Sequence, residues 1–301
     1  VDERGDSRSE NQNRDPLTEF LENYNYGFWY YKIFSIDEIH EDESCGNKVL
    51  GKLNGGTTDG LKSNLTLEMF MTSHHLIETL FMLIGAFTFS PTDPYAWINN
   101  RSNYGSAISE SIRNNRSTLW EGAGFASLDD YVRFLFFDVP VAQEHKGKLD
   151  SQIEPSKVCL KLLATELYRN EDLYNAYKHG FIAHSGISKI TYQSPSRGIS
   201  LTSPQVASIW TKPKRRRVTV VVDINNESKK FDVDNVYFTR LDHRRQRGIA
   251  LLALTLIKNA IEYRKVVLGK RATFGLEPLP AIKEIEAIFE FNQCPCPDVR
   301  Q

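Results

Sequence analysis

Apolar residues return at helical spacing over three long stretches of the chain, and these stretches set the reading of the rest. From Leu160 to His184, the residues Leu163, Leu167, Leu173, Tyr174, Tyr177 and Phe181 fall along one side of a helix. From Asn64 to Phe89, Leu67, Phe70, Leu76, Ile77, Leu80, Phe81, Ile84 and Phe87 give nearly all-round burial, which predicts a central helix. After Asp242, a cap residue, Leu251, Leu254, Ile257, Ile261, Tyr263 and Val267 line a third long helix. Three such rods predict a bundle closed by their apolar faces.

Shorter elements fill the intervals. Pro16 opens a helix through Phe34 whose aromatics Phe20, Tyr24, Phe28, Trp29 and Tyr31 are expected to pack in the core. Glu41 to Ser63, rich in Gly, Asn, Asp and Thr, reads as a long loop, and Pro140 to Pro155 as a linker. Ser127 is placed to cap a helix with Asp129 and Asp130 in its first turn. Between Gly186 and Arg240 the spacing changes to short β-type runs. The clearest are RRRVTVVVDI and KKFDVDNVYF, joined as a hairpin through Asn225, Asn226, Glu227 and Ser228.

The predicted class is therefore mainly α, a helical bundle with a small antiparallel β insertion between the last two long core helices, α+β overall. The expected organisation is a disordered polar leader over 1–15, a helical-bundle part over 16–184 and the β insertion over 185–242. Bundle-completing helices follow over 243–292 and a tail over 293–301.

Composition narrows the function classes. The chain has 301 residues, 41% hydrophobic and 25% charged, with a formal net charge of -1, so no global field draws it to nucleic acid or membrane and any polyanion site must be local. The polar leader lacks a secretory core, and the most apolar run, Leu76 to Phe89, is about fourteen residues, shorter than a bilayer crossing. The four cysteines make no disulfide framework, and Cys294 and Cys296 stand too close for paired zinc ligands. These features predict a cytoplasmic protein with no membrane partner. A glycine-rich phosphate loop, a nucleophile elbow and a kinase signature are all missing from the sequence.

Candidate chemistry concentrates at the end of the first stretch. Glu171, Asn175 and His179 are four apart in turn, so one helical face carries a carboxylate, an amide and an imidazole, with Lys178 beside them. That set suits proton transfer, anion binding or a hydrogen-bonded core. A second set is His74, His75 and Glu78, read as a hydrogen-bonded core or interface histidine pair and, alternatively, as half of a ligand group for a di-metal helical bundle, to be completed by His179, His184 or Glu166. A third is cationic: Arg215, Arg216 and Arg217 precede the first hairpin strand, and Arg244 and Arg245 follow the second, so they are candidates for an RNA or anion rim.

The string Leu173 to Gly180, L-Y-N-A-Y-K-H-G, and the order of helices near 64–89, 157–184 and 243–270 resemble the HEPN-like superfamily of helical bundles. Catalytic members of that superfamily are metal-independent ribonucleases in which an arginine and a histidine meet at a dimer interface. The resemblance implies RNA or nucleotide as partner, a homodimer, no cofactor and, for a catalytic member, ribonuclease activity. Asn175 and His179 match the polar residue and histidine of the motif, with Lys178 as the neighbouring cation. The chain departs from the pattern at the arginine, where Tyr174 stands, while Arg169 lies ten residues before His179. Two alternatives remain beside this reading: a non-catalytic partner-binding or scaffold protein, and a metal-binding helical-bundle enzyme built on His74, His75, Glu78 and His179.

Overall fold

The computed structural model describes residues 15–52, 56–100, 104–138, 143–178, 241–273 and 275–290, together with the backbone of strands between 187 and 240; at 104, 143–145, 172 and 176–177 only the backbone is described. Among these residues the helices run α1 (Pro16–Asn23), α2 (Tyr26–Glu41), α3 (Glu43–Leu50), α4 (Thr58–Phe89), α5 (Pro94–Asn100) and α6 (Tyr104–Arg113). They continue as α7 (Thr118–Gly122), α8 (Leu128–Phe136), α9 (Gln143–Asp150), α10 (Ile153–Lys178), α11 (His243–Val267) and α12 (Ile282–Phe289).

Local signals explain where several of these helices begin. Asp15 accepts a hydrogen bond from the Thr18 amide at 3.1 Å, and Pro16, which has no amide to satisfy, follows it. Ser127 Oγ accepts from the Asp130 amide at 3.1 Å, and Asp242 Oδ1 accepts from the Arg245 amide at 2.7 Å. The helix expected from Pro16 through Phe34 is instead two helices, because Tyr24 adopts an extended backbone after α1. The loop expected over Glu41 to Ser63 contains α3, nucleated by the Asp42 carboxylate, which accepts from the Ser44 amide at 2.7 Å. The linker expected over Pro140 to Pro155 holds α9 and the first turn of α10.

The α+β class is corrected. Where side chains as well as backbone are described, about 79% of residues are helical and none is in a strand, so the packed body is all-α. The physical reason lies in what is buried. The described core residues sit on helices or on the turns that join them. Backbone pairing alone describes β1 (Ile187–Gln193), β2 (Gly198–Thr202), β3 (Ala207–Thr211), β4 (Val218–Ile224), β5 (Glu227–Val233) and β6 (Val236–Arg240). They pair antiparallel in the orders β2-β1-β4-β5 and β3-β6.

The chain divides into two compact units, and each of the three long helices contributes a segment to both. The first unit comprises residues 1–26, 78–164 and 254–282. Within it Phe20 meets Phe87 edge-on at 6.3 Å, and Thr88 Oγ1 and the Tyr131 hydroxyl are 2.7 Å apart. Gly85 of α4 lies directly against Trp97 and Ile108. The second unit comprises residues 27–77, 165–253 and 283–301. Its apolar cluster is Leu67, Phe70 and Met71 of α4, Leu173 and Tyr174 of α10, and Leu241. That cluster fixes the helical segments bearing most of the chemically interesting side chains.

The length expectation for membrane spans also changes. Extending back to Thr58, α4 has 32 residues and is long and apolar enough to cross a membrane; 83% of its most apolar window is buried in the protein. Its apolar surface is thus used for internal packing.

Candidate functional site

The second unit carries three groupings of polar side chains, and the first of them is internal. His74, fully buried on α4, has Nδ1 3.0 Å from the Phe70 carbonyl, and its ring lies 4.1 Å from Phe70 and 5.7 Å from Tyr174. Next to it, Ser73 donates to Gln246 Oε1 at 2.8 Å. On the facing segments, Arg245 donates Nη1 to Glu166 Oε1 at 2.8 Å and Nη2 to Glu166 Oε2 at 2.5 Å, and Asn170 donates to the same carboxylate at 3.0 Å. Burial pushes the His74 pKa down, so the imidazole is neutral at pH 7. Burial pushes Glu166 up, but the hydrogen bonds and charge of Arg245 outweigh it and the net shift is downward. This network joins α4, α10 and α11 through buried polar groups.

The second grouping lies where the end of α2 meets the start of α11. The rings of His40 and His243 stack at 3.7 Å with an interplanar angle of 2°. His243 Nε2 is 3.2 Å from Asp37 Oδ1, and Arg247 Nε is 3.2 Å from the other oxygen of that carboxylate. His40 Nδ1 is 3.2 Å from Glu41 Oε1, and Arg244 reaches Glu41 Oε2 at 3.4 Å. Both histidines have lowered pKa values: His40 through burial, partly offset by Glu41, and His243 through burial and the neighbouring His40. Two stacked imidazoles cannot both be cationic without strong repulsion.

The third is an exposed aromatic stripe on α2. Phe28, Tyr31 and Phe34 are 53%, 79% and 48% exposed. Steps of three residues keep them on neighbouring turns of one side of the helix. Tyr30 stacks on Phe34 at 6.2 Å, and the Arg247 guanidinium lies 6.0 Å from the Phe34 ring centre. Lys32, on the same helix, pairs with Glu68 at 2.8 Å. Core packing of Phe28 and Tyr31, expected from spacing, is therefore not what they do.

The sequence-derived candidates are distributed as follows. Asn175 and Lys178 are both exposed on the last turns of α10, with Lys178 Nζ 5.4 Å from the Tyr174 ring centre. His179 and His184 lie outside the described residues, as do Arg215, Arg216 and Arg217. Arg244 is exposed, whereas Arg245 is drawn inward to Glu166 and leaves the expected cationic rim. His74 and His75, adjacent on α4, diverge: the first is buried and the second exposed, with its ring 5.1 Å from Trp29. Helical geometry turns neighbours about 100° apart, so they do not offer a shared ligand pair. Among the described residues, the groups with ligand atoms within 4.8 Å of one another are His40, Glu41 and His243, and Glu38, Asp42 and Cys45; neither includes His74, His75 or Glu78.

Sequence reasoning missed His40 and His243. They are separated by 203 positions, and each stood beside a stronger local signal, the aromatic run of α2 and the Asp242 cap with its arginines. Only the packing of α11 on α2 brings them face to face. Comparison with family models, with curated proteins and with solved structures finds no match to the chain.

Proposed function

We propose that the second unit is a binding module for single-stranded RNA or nucleotide, working through the α2 stripe and Arg244 and Arg247 in the first turns of α11. The observation that carries this reading is the exposure of Phe28, Tyr31 and Phe34, with Arg247 beside Phe34. Exposed rings flanked by guanidinium groups provide stacking faces for bases and charge for phosphates. Asn175 and Lys178, exposed one turn apart on α10, supply a further amide and cation. This keeps the HEPN-like reading of the motif around Asn175 and His179, with RNA cleavage as its catalytic form and a homodimer as its assembly.

The test is fluorescence anisotropy of a short single-stranded RNA at two salt concentrations. Base stacking is worth roughly 1–3 kcal/mol per base, so Tyr31→Ser combined with Phe34→Ser is expected to weaken binding by about tenfold or more. Binding that is absent at low salt, or unchanged in this variant, removes the reading. Cleavage of the same RNA that persists undiminished in His179→Ala removes the nuclease part alone.

One observation favours a second reading, a protein partner on the same stripe. The nearby cations are already matched by carboxylates: Lys32 by Glu68, Arg244 by Glu41 and Arg247 by Asp37. That balance reduces the positive field a polyanion would meet. Loss of a salt-insensitive self-association in Tyr31→Ser, with no RNA binding by the parent chain, would select it.

A further inference from the structure

We propose that His40, Glu41 and His243 form a binding site for a divalent transition ion of the zinc class. This site is separate from the aromatic stripe and does not depend on RNA binding.

The donor set is the first argument. Two imidazoles and a carboxylate are the mixed nitrogen and oxygen ligands that zinc takes in sites with three protein ligands and one open position. The three side chains can each present a ligand atom within 4.8 Å of the others. With bonds of about 2.0–2.1 Å, two ligands of one tetrahedral zinc stand roughly 3.3 Å apart. His40 Nδ1 and Glu41 Oε1 are already 3.2 Å apart. An ion can therefore take the place of the proton between them with little movement.

An independent observation comes from His243. Its side chain is 4% exposed, yet Nδ1 is buried with no hydrogen-bond partner. Buried polar atoms are rarely left in this state, so an unpaired nitrogen on a ring stacked against His40, in a group whose ligand atoms lie within 4.8 Å of one another, points to a ligand. The other ring nitrogen is held in the manner of a metal-bound histidine, with Nε2–H directed at Asp37 Oδ1 at 3.2 Å. Arg247 fixes that carboxylate in turn through Asp37 Oδ2 at 3.2 Å. This assigns the proton to Nε2 and the free lone pair to Nδ1.

His40 completes the arrangement by changing tautomer. Its Nε2 lies 3.4 Å from Thr66 Oγ1, and the Thr66 hydroxyl already donates to the Lys62 carbonyl at 2.9 Å. When Nδ1 binds the ion, the ring proton moves to Nε2, where Thr66 Oγ1 can accept it. The stacked rings are nearly parallel, so one must tilt for both lone pairs to reach one ion; His40, with 16% of its side chain exposed, has the room to do so. Besides His40, Glu41 is held by a long contact to Arg244, whose side chain is 82% exposed and yields readily. Glu41 itself is 44% exposed, so the remaining coordination position opens toward solvent. The second group, Glu38, Asp42 and Cys45, has no comparable buried donor, and Asp42 is engaged as the cap of α3.

The test uses the full chain stripped with chelator, titrated with Zn2+ by calorimetry and with Co2+ by visible absorption. The expected result is one ion per chain with cobalt bands of nitrogen and oxygen coordination. His40→Gln and Glu41→Gln should each weaken uptake by at least about tenfold, and Asp37→Asn, which removes the support behind His243, by roughly 10- to 100-fold. Asp42→Asn, which keeps the helix cap, should leave uptake unchanged. Because Glu41 is exposed, its variant tests the site even if His243→Gln does not fold. The proposal is overturned if neither metal binds stoichiometrically, or if folded His40→Gln and Glu41→Gln take up metal like the parent.

Discussion

Arg245 grips Glu166 with both terminal nitrogens, at 2.8 and 2.5 Å, and holds a carboxylate that is only 2% exposed. Asn170 adds a hydrogen bond at 3.0 Å. Removing one partner strands the other charge inside the protein. Arg245→Ala or Glu166→Ala is therefore expected to cost about 3–5 kcal/mol, whereas replacing both with apolar residues of similar volume should cost far less than the sum. Urea unfolding of the two single variants and the double Arg245→Met, Glu166→Leu variant measures this. Additive losses would show that the pair is not coupled.

Acid should destabilise the metal-free protein in two stages. His74 has a folded pKa lowered from 6.5 by burial, so the unfolded chain binds the proton more readily. Its contribution is complete above about 6.5 and is lost as pH falls below that value. His40 and His243, also lowered, act in the same window. Glu166 has a net lowered pKa, so its stabilisation is present above 4.5 and is lost as pH falls further, through its folded value. Urea midpoints measured from pH 8 downward should begin to drop near 6.5, and His74→Gln should reduce that first phase. A flat profile down to 4.5 would contradict the assignment of neutral buried histidines.

The three long helices were legible because their apolar residues recur over many turns, and the Ser127 and Asp242 caps because a side-chain oxygen beside an apolar run has few other uses. Spacing could not say which rings a neighbour would cover. Phe28, Tyr31 and Phe34 have helical period but no described element burying them. Composition misled over Glu41 to Ser63, where one carboxylate, Asp42, suffices to start α3 in a segment of weak helix formers. The β-type runs were visible, and their backbones pair antiparallel, while the core built by the described side chains is helical. Proximity across 203 positions leaves no local trace, so the His40–His243 stack was hidden.

Gly85 should be among the least replaceable small residues of α4. A β-carbon there would overlap the Trp97 ring and Ile108 Cδ1, both parts of buried side chains that have little room to yield. Overpacking costs typically about 1–3 kcal/mol, against a helix-propensity gain of about 1 kcal/mol for alanine over glycine. Gly85→Ala is expected to lower the thermal midpoint. Gly147 of α9 meets nothing within 4 Å of the same position, so Gly147→Ala should raise stability by about 0.4–1 kcal/mol. Equal responses at the two sites would mean that Trp97 and Ile108 move aside freely.

Arg264 offers the opposite case, a buried cation held by rings. Its guanidinium lies 4.3 Å from the Phe134 ring centre and 5.3 Å from those of Phe87 and Tyr263, and Nη2 donates to the Phe134 carbonyl at 3.4 Å. Burial lowers its pKa, and among the described residues no carboxylate forms an ion pair with it. Cation–π contacts contribute roughly 0.5–2 kcal/mol, and they offset a desolvation cost of several kcal/mol. Arg264→Met keeps the apolar stem between the rings and removes that cost, so it should be neutral or stabilising. Arg264→Ala empties the space and should lose about 2–4 kcal/mol. Chemical denaturation of the two variants separates packing from charge, and a large loss in Arg264→Met would show that the guanidinium itself is what the rings hold.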